Sequence, residues 1–153
     1  MDQIDKKQFS KARNKAFKLL SYRERTIKEI EDRLRKKDFS EEVIKAVVDF
    51  LLEKDYLNEE RFSEMWIRSR KKHHPRGRKL IYKELKNKGV NQRIINSALD
   101  QYLSNQEEID MAEYLKDKWL RRRTEEDSSS YKLKNYLANK GFSYDLIYTV
   151  TDK

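Results

Sequence analysis

Apolar residues recur along this chain at spacings of three and four, with charged residues between them. Ala12, Ala16, Leu19 and Leu20 open the pattern. Val43, Ile44, Val47, Val48 and Leu51 continue it, and Ile94, Ile95, Ala98, Leu99 and Tyr102 repeat it. This spacing lays one apolar stripe along a helix; a strand would alternate with period two. Further helices are predicted over Glu59 to Lys72, with Phe62, Trp66 and Ile67, and over Gln106 to Arg123, with Met111, Tyr114, Leu115 and Trp119. The first helix is predicted over Phe9 to Tyr22, and Thr26 with Glu29 spells a capping box at the start of the next.

One phrase is written three times: "RKKDFSEEVIKAVV" from Arg35, "KNKGVNQRIINSAL" from Lys86 and "ANKGFSYDLIYTV" from Ala138. Aligned on Lys37, Lys88 and Lys140, the next column reads Asp38, Gly89, Gly141, followed by Phe39, Val90, Phe142 and by Ser40, Asn91, Ser143. Upstream, Leu34, Leu85 and Leu137 match, as do Ile30, Ile81 and Leu133. Leu with Ile or Leu four residues earlier shares a helix face. Lysine suits the negative end of a helix dipole, and glycine takes the left-handed conformation that ends a helix. Ser or Asn then caps the next helix by accepting a backbone N–H. The phrase is therefore helix, tight turn, helix, and the turn at Asp38 is expected to be the most strained. With one more helix before each pair, and Pro75 separating the first two helices of the middle set, the chain reads as all-α. It divides into three tandem three-helix repeats: 1–55, 56–104 and 105–153. The period exceeds that of tetratricopeptide and HEAT arrays.

Composition agrees with narrow helical stripes rather than one large core. The charged fraction is 41% and the hydrophobic fraction 37%, with 3 Gly and 1 Pro. Cysteine is absent, which excludes a disulfide framework and thiolate metal sites. No apolar run approaches the roughly 20 residues that span a bilayer, and the N-terminus lacks a signal-peptide core. A cytoplasmic protein with no membrane association is expected.

Net charge is +9, which favours a polyanionic partner, and the charge is segregated. Arg68, Arg70, Lys71, Lys72, Arg76, Arg78 and Lys79 lie in a run without an acid, whereas Ser40 to Glu64 holds eight acids against Lys45, Lys54 and Arg61. A solvated helix face usually mixes signs, so the basic run is the first candidate contact surface. The Pro75-Arg76-Gly77 break is expected to let backbone approach a phosphate. Arg121, Arg122 and Arg123 form a second patch, and Arg23 and Arg25 mark the equivalent place in the first repeat. The acidic stretch is either solvated or faces a basic partner.

No catalytic signature is present. A chain with so few glycines has no phosphate-cradling loop, and no nucleophile elbow occurs. His73 and His74 are neighbours in a positive field, a poor arrangement for chelating one ion, so no metal or other cofactor is expected. Trp66 and Trp119 carry helical spacing and are read as core anchors before base-stacking platforms; Tyr22, Tyr82 and Tyr131 lie near basic residues.

The stretches "LLSYRERTIKEIEDRLRKKDF", "DYLNEERF" and "GRKLIYKELKNKGV", with the more diverged "KLKNYLANKGF", resemble the RecX family of bacterial regulators of the RecA recombinase. The resemblance covers nearly the whole chain. Asp38 departs from the family's usual glycine, and Asn58-Glu59-Glu60 from a favoured aspartate. The resemblance implies a curved, elongated molecule that binds RecA–DNA filaments. It implies restraint of RecA's ATP hydrolysis, strand exchange and co-protease activity, with no catalysis of its own. Expected partners are the RecA filament and single- and double-stranded DNA, bound by a monomer. The alternatives are a stand-alone DNA-binding helical repeat protein and a helical scaffold with no nucleic-acid partner.

Overall fold

The computed structural model describes residues 5–127 and 129–152. Among them are nine α-helices and no strand: α1 (Lys6–Tyr22), α2 (Ile27–Lys36), α3 (Glu41–Glu53), α4 (Glu59–Lys72), α5 (Arg78–Asn87), α6 (Gln92–Tyr102), α7 (Asn105–Arg121), α8 (Ser130–Asn139) and α9 (Tyr144–Thr151). A short 3-10 helix, Glu125–Asp127, follows α7. The fold is an all-α helical-repeat fold.

The helix boundaries follow from local chemistry. Ser40, Asn91 and Ser143 each accept a backbone N–H three residues on, as the repeated phrase requires. Thr26 and Glu29 form the reciprocal capping box, and Ser104 with Glu107 forms a second. Gly89 and Gly141 take φ of 91° and 97°, and Asp38, in the same column, takes φ 65°. The column therefore demands the left-handed conformation whatever residue fills it, and Asp38 tolerates it at a cost that glycine avoids. Asp55, outside that column, is also left-handed at φ 61°. Helix α1 begins three residues before the predicted start, because Asp5 caps it by accepting the Lys7 N–H at 2.8 Å. Helix α7 stops at Arg121, before Arg123.

By contact the chain falls into two compact units. One comprises the chain up to Phe62 together with Lys88–Val90. In it α1, α2 and α3 pack mutually around Ala12, Ala16, Ile30, Leu34, Ile44, Val47 and Leu51. Phe50 lies edge-on to Phe9 and Phe17 at 6.0 and 6.4 Å, closing the α1–α3 side. Each fully buried Leu or Ile here contributes roughly 1.5–3 kcal/mol of apolar transfer energy, against caps worth about 1 kcal/mol each. Packing, more than capping, holds the unit together.

The other unit comprises Ser63–Asn87 and the chain from Asn91 onward. Its buried residues include Ile67, Ile81, Leu85, Ile95, Leu99, Leu115, Trp119, Leu137 and Ile147. In this unit the Pro75-Arg76-Gly77 break meets backbone rather than open solvent. The Gly77 N–H donates to the Lys140 carbonyl at 2.7 Å, and the Lys79 N–H to the Gly141 carbonyl at 3.1 Å. A Cβ on Gly77 would lie 2.6 Å from the Phe142 nitrogen. The glycine at this break lets two chain segments touch, so the expected phosphate approach at Gly77 is replaced by an internal contact.

Candidate functional site

The basic run is continuous in sequence but divided in space. Helix α4 carries Arg68, Arg70, Lys71 and Lys72, and helical geometry sends successive side chains about 100° apart. Arg70 turns toward α5, where both Glu84 oxygens accept from it at 2.9 and 3.0 Å. Glu84 also accepts the Trp66 indole N–H at 3.0 Å, and the Arg70 guanidinium lies over the Trp66 ring at 4.8 Å. Lys71 donates to the Tyr102 carbonyl at 2.6 Å and to Glu107 at 2.7 Å. That contact, with the Ser104 N–H, holds the Glu107 carboxyl below its usual range. Arg68 pairs with Glu64 one turn back and lies over Tyr102 at 5.3 Å. Beyond the break, the Arg78 N–H donates to Glu108 at 2.8 Å and its guanidinium pairs with Asp100.

The remaining members of the run differ. Lys72 and Lys79 are exposed, and neither forms an ion pair among the described residues. Arg76 is half-buried and donates to the Pro75 carbonyl at 2.9 Å. His73 and His74 are exposed. Among the described residues, no group of three or more His, Cys, Asp or Glu is placed to hold a metal ion.

Arg23 and Arg25 are held closely in the first unit. Arg23 forks onto Glu29 at 2.8 and 3.3 Å and lies over Phe62 at 5.9 Å. Glu29 further accepts the Thr26 N–H at 3.1 Å and Lys88 at 3.2 Å. Burial alone would raise the Glu29 carboxyl; the Arg23, Thr26 and Lys88 bonds overcome that and pull it down to about 2. Arg25 donates to the Leu19 carbonyl at 3.1 Å, and burial beside Arg23 lowers its pKa. In the second unit, Arg121 and Arg122 are exposed at the end of α7, and Arg123 lies over the Trp119 ring at 4.8 Å. Trp119 is buried while Trp66 is half-buried, so both serve the interior more than the surface. Tyr22 and Tyr131 are exposed; Tyr82 is half-buried.

Two basic grooves escape sequence reading because their cations are far apart along the chain. One, between α1 and α2, is lined by Lys15, Lys18, Arg33 and Lys37 beside Leu19 and Tyr22. The other lies between the end of α7 and α8 and includes Arg123 and Lys132. Near it, burial lowers the Lys140 pKa, and Arg76 and Lys118 add to the effect. The repeated Lys37–Lys88–Lys140 column was the available signal, although sequence alone assigns it only to a helix end. Lys88 is given to Glu29, whereas Lys37 and Lys140 pair with no carboxylate among the described residues.

The molecule is thus an all-helical repeat protein whose cations are partly braced by carboxylates and partly open to solvent. Family models place it more closely: "RecX, first three-helix domain" matches residues 12–51 and "RecX, second three-helix domain" residues 58–99. The Regulatory protein RecX of Bacillus subtilis (strain 168) is 33% identical over 143 residues, covering 92% of this chain and 53% of that protein. The Regulatory protein RecX of Clostridioides difficile (strain 630) is 31% identical, covering 98% and 71%. The crystal structure of RecX from Lactobacillus salivarius superposes with a TM-score of 0.83 at 31% identity, covering 95% of this chain and 96% of that one. The chain belongs to the RecX family. It spans about half the length of the first curated relatives it matches.

No helix among the described residues is long and apolar enough to cross a membrane.

Proposed function

We propose that this chain regulates the RecA recombinase by binding the RecA–DNA filament and restraining its ATP hydrolysis, strand exchange and co-protease activity. The observation that supports the reading is family membership over nearly the whole chain, through relatives named Regulatory protein RecX. The repeats at 1–55, 56–104 and 105–153 are its units, and it works as a cytoplasmic monomer. The cations between Arg68 and Lys79, with Arg23, Arg25 and Arg121 to Arg123, are its filament contacts. Among them Lys72, Lys79, Arg121 and Arg122 present open charge, and the paired ones engage only as their carboxylates are displaced.

The test is RecA's ATP hydrolysis on saturating single-stranded DNA, with and without the chain. Inhibition that survives excess DNA is expected. Inhibition that disappears as DNA is added would point to competition for free strand. Those exposed, unpaired lysines favour that second reading, a stand-alone DNA-binding helical repeat protein. Changing Lys72 and Lys79 to Ser should flatten the log–log salt dependence of single-strand binding by about 1.4, at about 0.7 per phosphate. An unchanged slope would remove these lysines from the interface.

A further inference from the structure

Two parts of the second unit share one design with one difference. Trp66 and Arg70, four residues apart on α4, stack with the guanidinium 4.8 Å from the ring centre. Trp119 and Arg123, with the same spacing at the end of α7, stack at the same 4.8 Å. In each case the following helix offers a residue just before its central core leucine. On α5 that residue is Glu84, preceding Leu85, and it clamps Arg70 through both oxygens. On α8 it is Tyr136, preceding Leu137, with its ring 6.2 Å from Trp119 and tilted by 37°. The acid that neutralises the first stack is an aromatic ring in the second. Arg123 forms no ion pair among the described residues.

The stack beside Tyr136 opens into a groove of about 540 Å³, lined by Trp119, Arg123, Lys132, Asn135, Tyr136 and Asn139. Among the described residues, no carboxylate lines it. Lys140 lies over the other ring, 5.5 Å from the Tyr136 centre, and Arg76 and Lys118 are the charges that act on it. Cations held on aromatic faces are partly desolvated and fixed in orientation, as a phosphate requires. Rings and side-chain amides beside them offer a flipped-out base a surface that a paired duplex cannot use.

We propose that the α7–α8 groove binds a single-stranded nucleic-acid segment, its phosphates on Arg123, Lys132 and Lys140 and a base against Tyr136. The proposal deepens the reading above, on which it rests for its class of partner, and assigns a contact that the basic run does not contain. Glu84 then acts as a built-in counter-ion that silences the corresponding place between α4 and α5.

The test uses the full chain without RecA and a fluorescein-labelled oligothymidylate of about 20 nucleotides, long enough to exceed the contact, read by anisotropy over a salt series. Tyr136→Glu rebuilds the clamp on Arg123 and should weaken binding about 10-fold, within the range for loss of one stacked base. Glu84→Gln frees Arg70 and should tighten binding, steepening the salt slope by up to about 0.7. Should Tyr136→Glu lose its helical circular dichroism, Asn135→Asp with Asn139→Asp puts two charges in the same groove at exposed positions and should weaken binding comparably. A folded Tyr136→Glu that binds like the parent overturns the assignment, as does a parent that binds no oligonucleotide. A duplex that binds as tightly and is weakened equally overturns the single-strand choice. Because RecA is absent, failure to inhibit RecA leaves this result standing, and loss of oligonucleotide binding leaves RecA inhibition to be judged by its own assay.

Discussion

Glu29 is a heavily bonded carboxylate of the first unit, and Glu29→Gln removes its charge while keeping its shape. Its oxygens receive Arg23 at 2.8 and 3.3 Å, the Thr26 N–H at 3.1 Å and Lys88 at 3.2 Å. The folded carboxyl lies at about 2, against an ordinary 4.5. At 1.36 kcal/mol per pH unit, that gap corresponds to about 3.4 kcal/mol favouring the ionised folded state. The side chain keeps 21% of its exposure, so solvent screening reduces the figure to about 2–3 kcal/mol.

The sign follows from proton binding. Between about 2 and 4.5 the unfolded chain holds a proton on Glu29 that the folded chain does not, so lowering the pH favours unfolding. The contribution is complete above the unfolded value and fades as pH falls through the folded one. About two-fifths of it remains at pH 3. Urea unfolding of parent and Glu29→Gln at a series of pH values measures this directly. The parent should be about 2–3 kcal/mol more stable near neutrality, with the difference more than halved by pH 3. A difference that stays constant across the range would mean that the loss comes from bonding geometry or packing and not from ionisation of the carboxyl. No difference near neutrality would refute the reasoning outright.

Gly77→Ala should destabilise the second unit by about 2 kcal/mol or more, because its Cβ meets backbone of Gly141 and Phe142 rather than a side chain that can turn away. Thermal unfolding followed by circular dichroism checks this, and an unchanged midpoint would contradict the close approach of those segments. Asp38→Gly should stabilise by about 0.5–1 kcal/mol, since φ 65° suits glycine better than aspartate. Denaturant midpoints at constant slope measure it, and a loss of stability would show that the Asp38 side chain offsets its own backbone strain.

Much of the fold was legible because the helices obey local rules. The columns through Leu34, Leu85 and Leu137 are all buried, and the caps at Ser40, Asn91 and Ser143 form as spelled. Each of those features depends on residues within about one turn of its own position. Asp38 was legible as an exception, and the repeat placed it in the left-handed conformation that its glycine counterparts adopt. The fate of Gly77 was not legible, because its contact lies with Lys140 and Gly141, more than sixty residues away. The same limit governs the candidate surface. The segment from Arg68 to Lys79 has no acid in sequence, yet Glu84, Asp100, Glu107 and Glu108 are brought to it by α5, α6 and α7. The Trp–Arg spacing was readable twice, but the switch from Glu84 to Tyr136 acquires meaning only once the two helix pairs are compared in space.

The pairing of these cations bears on how a polyanion can engage the chain. An exposed lysine such as Lys72 or Lys79 holds loosely associated counterions, and their release drives phosphate binding. Arg70 and Lys71 are already neutralised internally and retain about a fifth of their exposure. For a phosphate to use either, Glu84 or Glu107 must give way, and the displaced carboxylate then needs solvent or another cation. The resulting gain is small compared with that from an open charge. Net charge therefore overstates the surface available for binding, while the paired residues brace α4 against α5 and α7. On the function proposed above, these paired groups are therefore the weaker of the filament contacts. On that same proposal, the cations that α4, α5, α7 and α8 present without a carboxylate opposite among the described residues are the less costly contacts for a polyanion.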